Sequence, residues 1–233
     1  MRLAALAACM IALNSPMTCL AQPLKSTPAT PDAFRADAFQ EVAYLQLKTS
    51  KQHLALEELK RRLGATESQA QSSSILLQEI GRPDQYMLLT SAITRVNPEY
   101  PNTALNQRLG MSSLFDIPPF TLQSSRLPGS TVLTIPIGGF VVVAHLDVDP
   151  DKREKALPQV QKLLRTVPGL TGNKGIQVLQ WKQFSNHWTI IESWRSPSDF
   201  DLSCEDQKIL SILASIAPDA GSPVDFRHYK RVY

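Results

Sequence analysis

The chain has 233 residues, 43% hydrophobic and 19% charged, with a formal net charge of +3. That length and composition allow a real core and exclude a disordered chain. The basic residues are scattered, which argues against a nucleic-acid footprint.

Met1-Arg2 is followed by a mostly apolar run from Leu3 to Leu13, then Pro16 and a small residue at Ala21. One positive charge, an apolar stretch too short to span a bilayer and a small residue at the break predict a signal peptide over residues 1–21. Periplasmic or secreted localisation is therefore expected. A lipoprotein using Cys19 is the alternative, although Pro16-Met17-Thr18 fits it poorly. No later segment is apolar enough to cross a membrane. Only Cys204 would remain after cleavage, so no intrachain disulfide is expected.

Residues 22–37 read as a flexible lead. Beyond them the chain can be read against itself as two copies, 38–130 and 131–233. The first copy offers a strand over 42–47 and a helix marked by Leu56, Leu59 and Leu63. A hairpin follows over 75–93 with Gly81-Arg82-Pro83-Asp84 as its turn, then a weaker helix within 97–114 and a short strand over 120–123. The second copy offers a strand over 141–148 and a helix marked by Ala156, Val160, Leu163, Leu164 and Val167, in which Pro158 predicts a kink or a late start. Its hairpin covers 176–194 with Ser185-Asn186-His187 as the turn. A strong second helix carries Ile209, Ile212, Leu213 and Ile216, and a strand over 224–229 closes the copy.

Leu45 pairs with Leu146, and Leu63 with Leu164, at one offset. Tyr86 pairs with Trp188, and Ala92 with Trp194, at that offset plus one. The order β-α-β-β-α-β predicts an α+β fold of two ferredoxin-like units. Each unit has a bare sheet face, and two units in one chain can cover each other to form a barrel-like core with helices outside.

Residues 141–233 resemble the antibiotic-biosynthesis-monooxygenase family of the dimeric α/β-barrel superfamily. The resemblance is carried by Val143-Ala144-His145-Leu146-Asp147-Val148-Asp149-Pro150, by Gly169 and Gly175, and most specifically by Thr189-Ile190-Ile191-Glu192-Ser193-Trp194-Arg195-Ser196 with Asp199-Phe200. It implies a pocket between sheet and helices, with Trp194 at a position where relatives place a pocket Trp. It also implies cofactor-independent oxygen chemistry, haem degradation or small-molecule isomerisation. Two departures argue against haem degradation. The second-helix His of many relatives falls near Ser203 here, and the first-strand Asn of the haem-degrading branch falls near Ala144. The first copy has Ala92 at the Trp position.

Trp194 is a candidate to stack on a planar substrate, with Ala144, Trp188 and Tyr229 completing the candidate substrate-binding set. His145 shares a strand face with Asp147, and such a pair can act as a general base. A satisfied histidine between two sheets is the competing reading. His228, on the last strand, is the other candidate base. His187 reads as a solvated turn residue. No metal motif, phosphate loop or nucleophile elbow is present, so neither a cofactor nor a metal is expected. The expected partner is a small hydrophobic ligand, and two chains could associate as a homodimer. The leading expectation is a cofactor-independent monooxygenase-like enzyme acting on an aromatic or polyketide-like substrate with O2. The alternatives are a non-catalytic binding module and an isomerase on a lactone-like substrate.

Overall fold

A computed structural model describes residues 34–36, 41–70, 74–90, 115–117 and 119–233. The expected signal peptide, most of the expected lead and the expected second helix of the first copy lie outside the described residues.

The first copy supplies β2 (Glu41–Gln46), α1 (Gln52–Ala70), β3 (Ser74–Glu79), β4 (Gln85–Thr90) and β5 (Phe120–Arg126). The second supplies β7 (Phe140–Asp147), α2 (Arg153–Thr166), β8 (Asn173–Trp181), β9 (His187–Trp194), α3 (Pro197–Cys204), α4 (Gln207–Ile216) and β10 (Asp225–Arg231). A short ribbon pairs β1 (Phe34–Ala36) with β6 (Leu133–Ile135), so three residues of the expected lead are built into a strand.

The eight longer strands form one closed barrel in the order β10-β3-β4-β2-β5-β8-β9-β7, and every pairing in it is antiparallel. The split order of each copy is visible within it: β5-β2-β4-β3 and β10-β7-β9-β8. The last strand of each copy pairs with the second strand of the other, which removes both free sheet edges.

Strand alternation sorts the apolar residues into three layers. Val42, Ile75, Leu77, Met87, Leu122, Val141, Val143, Leu179, Ile191 and Tyr229 fill the barrel. Ala43, Leu45, Leu76 and Leu88 face α1 through Ala55, Leu59 and Leu63. Phe140, Val142, Ala144, Leu146, Ile190 and Trp194 face α2 and α4 through Val160, Leu164, Ile209 and Ile212. Pro158 lies on the exposed side of an uninterrupted α2. That is the side on which helix hydrogen bonds lengthen and a missing donor disturbs least.

The entry to α3 is a compact polar knot. Ser196 caps the helix by accepting from the Asp199 N–H, and Asp199 takes both a 3.0 Å and a 2.5 Å bond from Arg195. Gly172, at φ +84°, packs against that carboxyl so closely that a Cβ would overlap it. Gly172→Ala is expected to cost more than about 1 kcal/mol, read as a lowered urea midpoint, because it combines a left-handed backbone with this overlap.

Candidate active site

Trp188, Ile190, Glu192 and Trp194 alternate onto the helix-facing side of β9. Glu192 is therefore a carboxyl placed among apolar residues. Val142 on β7 lies between Glu192 and His228, its register partners on the two flanking strands. Trp194 is 2% exposed and its Nε1 donates to Glu192 Oε2 at 2.9 Å. Burial pushes the Glu192 carboxyl up to about 7, and the single indole donor only partly opposes it.

A set of rings continues from this pair. Phe200 packs edge-on against Trp194 at 5.9 Å and against His228 at 5.5 Å, and Phe140 meets His228 at 5.3 Å. His228 also borders an open groove of about 420 Å³, with Glu79, Ile80, Arg82, Asp225, Phe226 and Arg227. The half-buried imidazole thus stands between solvent and the aromatic layer containing Glu192. The chemistry on offer is one proton acceptor near neutrality in an apolar, ring-lined setting.

The expected site residues divide between two layers. Ala144, Trp188, Trp194 and His228 lie on the helix side of the second copy, whereas His145 and Tyr229 face the barrel interior. Trp188 is fully buried, and its Nε1 has no acceptor among the described residues. In the sequence Glu192 stands out only as part of the Thr189–Ser196 motif. The signal that marks it is an acid alternating in phase with Trp188, Ile190 and Trp194.

The expected His145–Asp147 base pair does not form. Asp147 accepts from Ser222 at 2.5 Å, while His145 Nε2 lies 2.7 Å from Tyr44 Oη and its Nδ1 lies 3.4 Å from Thr189 Oγ1. Thr189 Oγ1 also accepts from Trp181 Nε1 at 3.0 Å and hydrogen-bonds Tyr44. With the imidazole proton on Nδ1, Tyr44 donates to Nε2 and His145 donates to Thr189, so the polar groups of this cluster are satisfied. Burial, reinforced by Arg227, lowers His145 to about 4 despite the opposing charge of Asp225. Burial, with Tyr229 next, raises Tyr44. His145 is thus a neutral structural link between the copies and a weak base. Tyr44→Phe is expected to cost about 1–3 kcal/mol by stranding the imidazole acceptor, measured by denaturant unfolding at pH 7.

Tyr44 and His145 hold the same place in their copies. Tyr44 is flanked in register by Met87 and Phe120, and His145 by Thr189 and Asp225. The barrel's internal two-fold relation therefore brings equivalent residues together at one end. His187, expected as a solvated turn residue, opens β9 and packs half-buried on Trp181 at 4.9 Å.

Residues 139–206 match the family model for antibiotic biosynthesis monooxygenase. No curated protein matches the sequence. Among solved structures, a candidate monooxygenase from Fusobacterium nucleatum is similar at 10% identity and a TM-score of 0.65, covering 85% of this chain and 94% of its own. An anthrone oxidase-like protein is similar at 11% identity and a TM-score of 0.62, covering 88% and 93%. A heme-degrading enzyme from Listeria monocytogenes is similar at 14% identity and a TM-score of 0.51, covering 82% and 99%. At these identities the likeness is one of fold, and it spans both copies. Residues 139–206 are thus similar to the antibiotic biosynthesis monooxygenase family, and the chain as a whole has the dimeric α/β-barrel fold built within one polypeptide.

Proposed function

We propose that the second copy oxidises a small hydrophobic aromatic or polyketide-like substrate with O2, without a cofactor, using Glu192 as the proton acceptor. The observation that carries this reading is the placement of the Glu192 carboxyl in an apolar layer, hydrogen-bonded by the Trp194 indole at 2.9 Å, where burial pushes it up to about 7. A base with this pKa holds a substantial ionised fraction at neutral pH yet stays strong enough to take a proton. Glu192 would remove a proton from an acidic CH2 beside an aromatic ring. The carbanion would add O2 and take that proton back, giving a hydroperoxide that loses water to leave a carbonyl. The net change is CH2 plus O2 to C=O plus H2O. Trp194 then acts as a positioning residue, and His228 stands at the solvent side of the ring cluster.

Export by residues 1–21 would put this chemistry in the periplasm or outside the cell. Aerobic incubation of the folded protein with a panel of anthrones and polycyclic phenols, following O2 uptake, tests the proposal. Uptake by the native protein and its loss in Glu192→Gln are expected, and equal uptake by both proteins would remove Glu192 from the reaction.

A second reading is a non-catalytic ligand-binding module. The observation favouring it is the burial of Trp194 within closely packed rings, which leaves its faces to Phe200 and the core. Ligand binding without O2 uptake across the panel would select this reading.

A further inference from the structure

The barrel has two equivalent seams, one on each side where the copies join, and they close in the same way. Ile80 N–H donates to the His228 carbonyl at 2.8 Å at the first, and Lys182 N–H donates to the Gln123 carbonyl at 3.0 Å at the second. The matched registers of β2 and β7 make Phe120 the counterpart of Asp225. The hairpin turns have equal length, which makes Phe184 the counterpart of Arg82.

All four side chains are exposed, but their chemistry differs. At the first seam Asp225 pairs with Arg227 at 2.7 Å and Arg82 approaches Glu79 at 3.9 Å. At the second, Phe120 is 50% and Phe184 52% exposed. Since the first seam closes with polar residues at both places, closure does not explain the aromatic ones.

The second seam is part of a continuous run of rings. Phe120 stacks near Tyr44 at 6.3 Å, Tyr44 meets His145 at 5.5 Å, His145 meets Trp181 at 6.4 Å, Trp181 meets His187 at 4.9 Å and His187 meets Phe184 at 5.3 Å. The run crosses both copies and has an exposed phenyl ring at each end. Among the described residues, the His187 ring nitrogens make no hydrogen bond, so they are available to a ligand hydroxyl. Within the run no side chain is an acid, a lysine or an arginine, and the Asp225 and Arg227 charges that reach His145 pair with each other. This composition favours flat uncharged rings over charged ligands.

We propose that this end of the barrel, framed by Phe120, Trp181, Phe184 and His187, is a second binding site for a planar, uncharged aromatic hydroxy compound. It lies on the barrel face of the sheet, apart from Glu192 and Trp194, and it does not depend on the oxidation proposed for them.

The test is calorimetric titration of the folded chain with 2-naphthol, comparing the native protein with the double variant Phe120→Asp, Phe184→Arg and with Glu192→Gln. The double variant installs the residue types that the equivalent seam already carries, and circular dichroism checks that it folds. At least a tenfold weakening in the double variant, with affinity at that site kept in Glu192→Gln, is expected. Unchanged 2-naphthol affinity in the double variant would overturn the inference, as would loss confined to Glu192→Gln. Sedimentation that shows a native dimer dispersed by the double variant, with no 2-naphthol heat, would assign the rings to self-association and also overturn it.

Discussion

Glu192→Gln is expected to lower O2-coupled turnover by about 10²- to 10⁴-fold, the usual contribution of a positioned base, while making the protein more stable above pH 7. The stability effect follows from linkage. The Glu192 carboxyl is raised to about 7 in the folded chain and returns to its ordinary value of 4.5 on unfolding. Below pH 4.5 both states are protonated and the group has no effect. As pH rises through that window the unfolded chain ionises first, so stability falls by up to about 3 kcal/mol and then levels off above pH 7. Glutamine keeps an oxygen for the Trp194 N–H and does not ionise. Urea unfolding at pH 4, 6 and 8 should therefore show variant and native protein converging at the acid end and separating at the alkaline end. A constant difference at all three pH values would mean that the carboxyl is not held neutral by its surroundings.

His145 is expected to produce the opposite pH dependence. Its folded-state pKa is lowered to about 4 from 6.5, so the unfolded chain takes up the proton first as pH falls. The stability it permits is fully present above pH 6.5 and is lost between there and pH 4, again by up to about 3 kcal/mol. His145→Gln retains an acceptor towards Tyr44 and removes the titration, so its stability should change less than the native protein's over that interval. Between pH 4.5 and 6.5 the slopes from Glu192 and His145 have opposite sign. The native protein should therefore be flatter there than either single variant. An acid limb unchanged in His145→Gln would exclude the imidazole as its source.

The repeat was legible because each copy writes its strands and helices with the same spacing. The pairings of Leu45 with Leu146 and Tyr86 with Trp188 correspond to real registers in β2, β7, β4 and β9. The cross-copy link was harder to read. Leu45 and Leu146 already imply that Tyr44 and His145 are equivalent, but only closure of the barrel shows that they touch. Alternation correctly put His145 and Asp147 on one face, yet proximity along a strand does not choose a partner. Across the barrel Tyr44 and Thr189 reach the imidazole, while Asp147 is held by Ser222. For Glu192 the phase was visible in the sequence and the consequence was not, because its raised pKa depends on how tightly the helices close over that face.

A residue on the axis of a symmetric two-chain assembly meets its own duplicate, so it must be complementary to itself. Tyrosine facing histidine escapes that condition, since phenol and imidazole supply a matched donor and acceptor that neither supplies as a self-pair so readily. Covalent joining thus lets every axial position specialise independently. One half can lose its tryptophan and acid while the other keeps them, without any need for the two to change together.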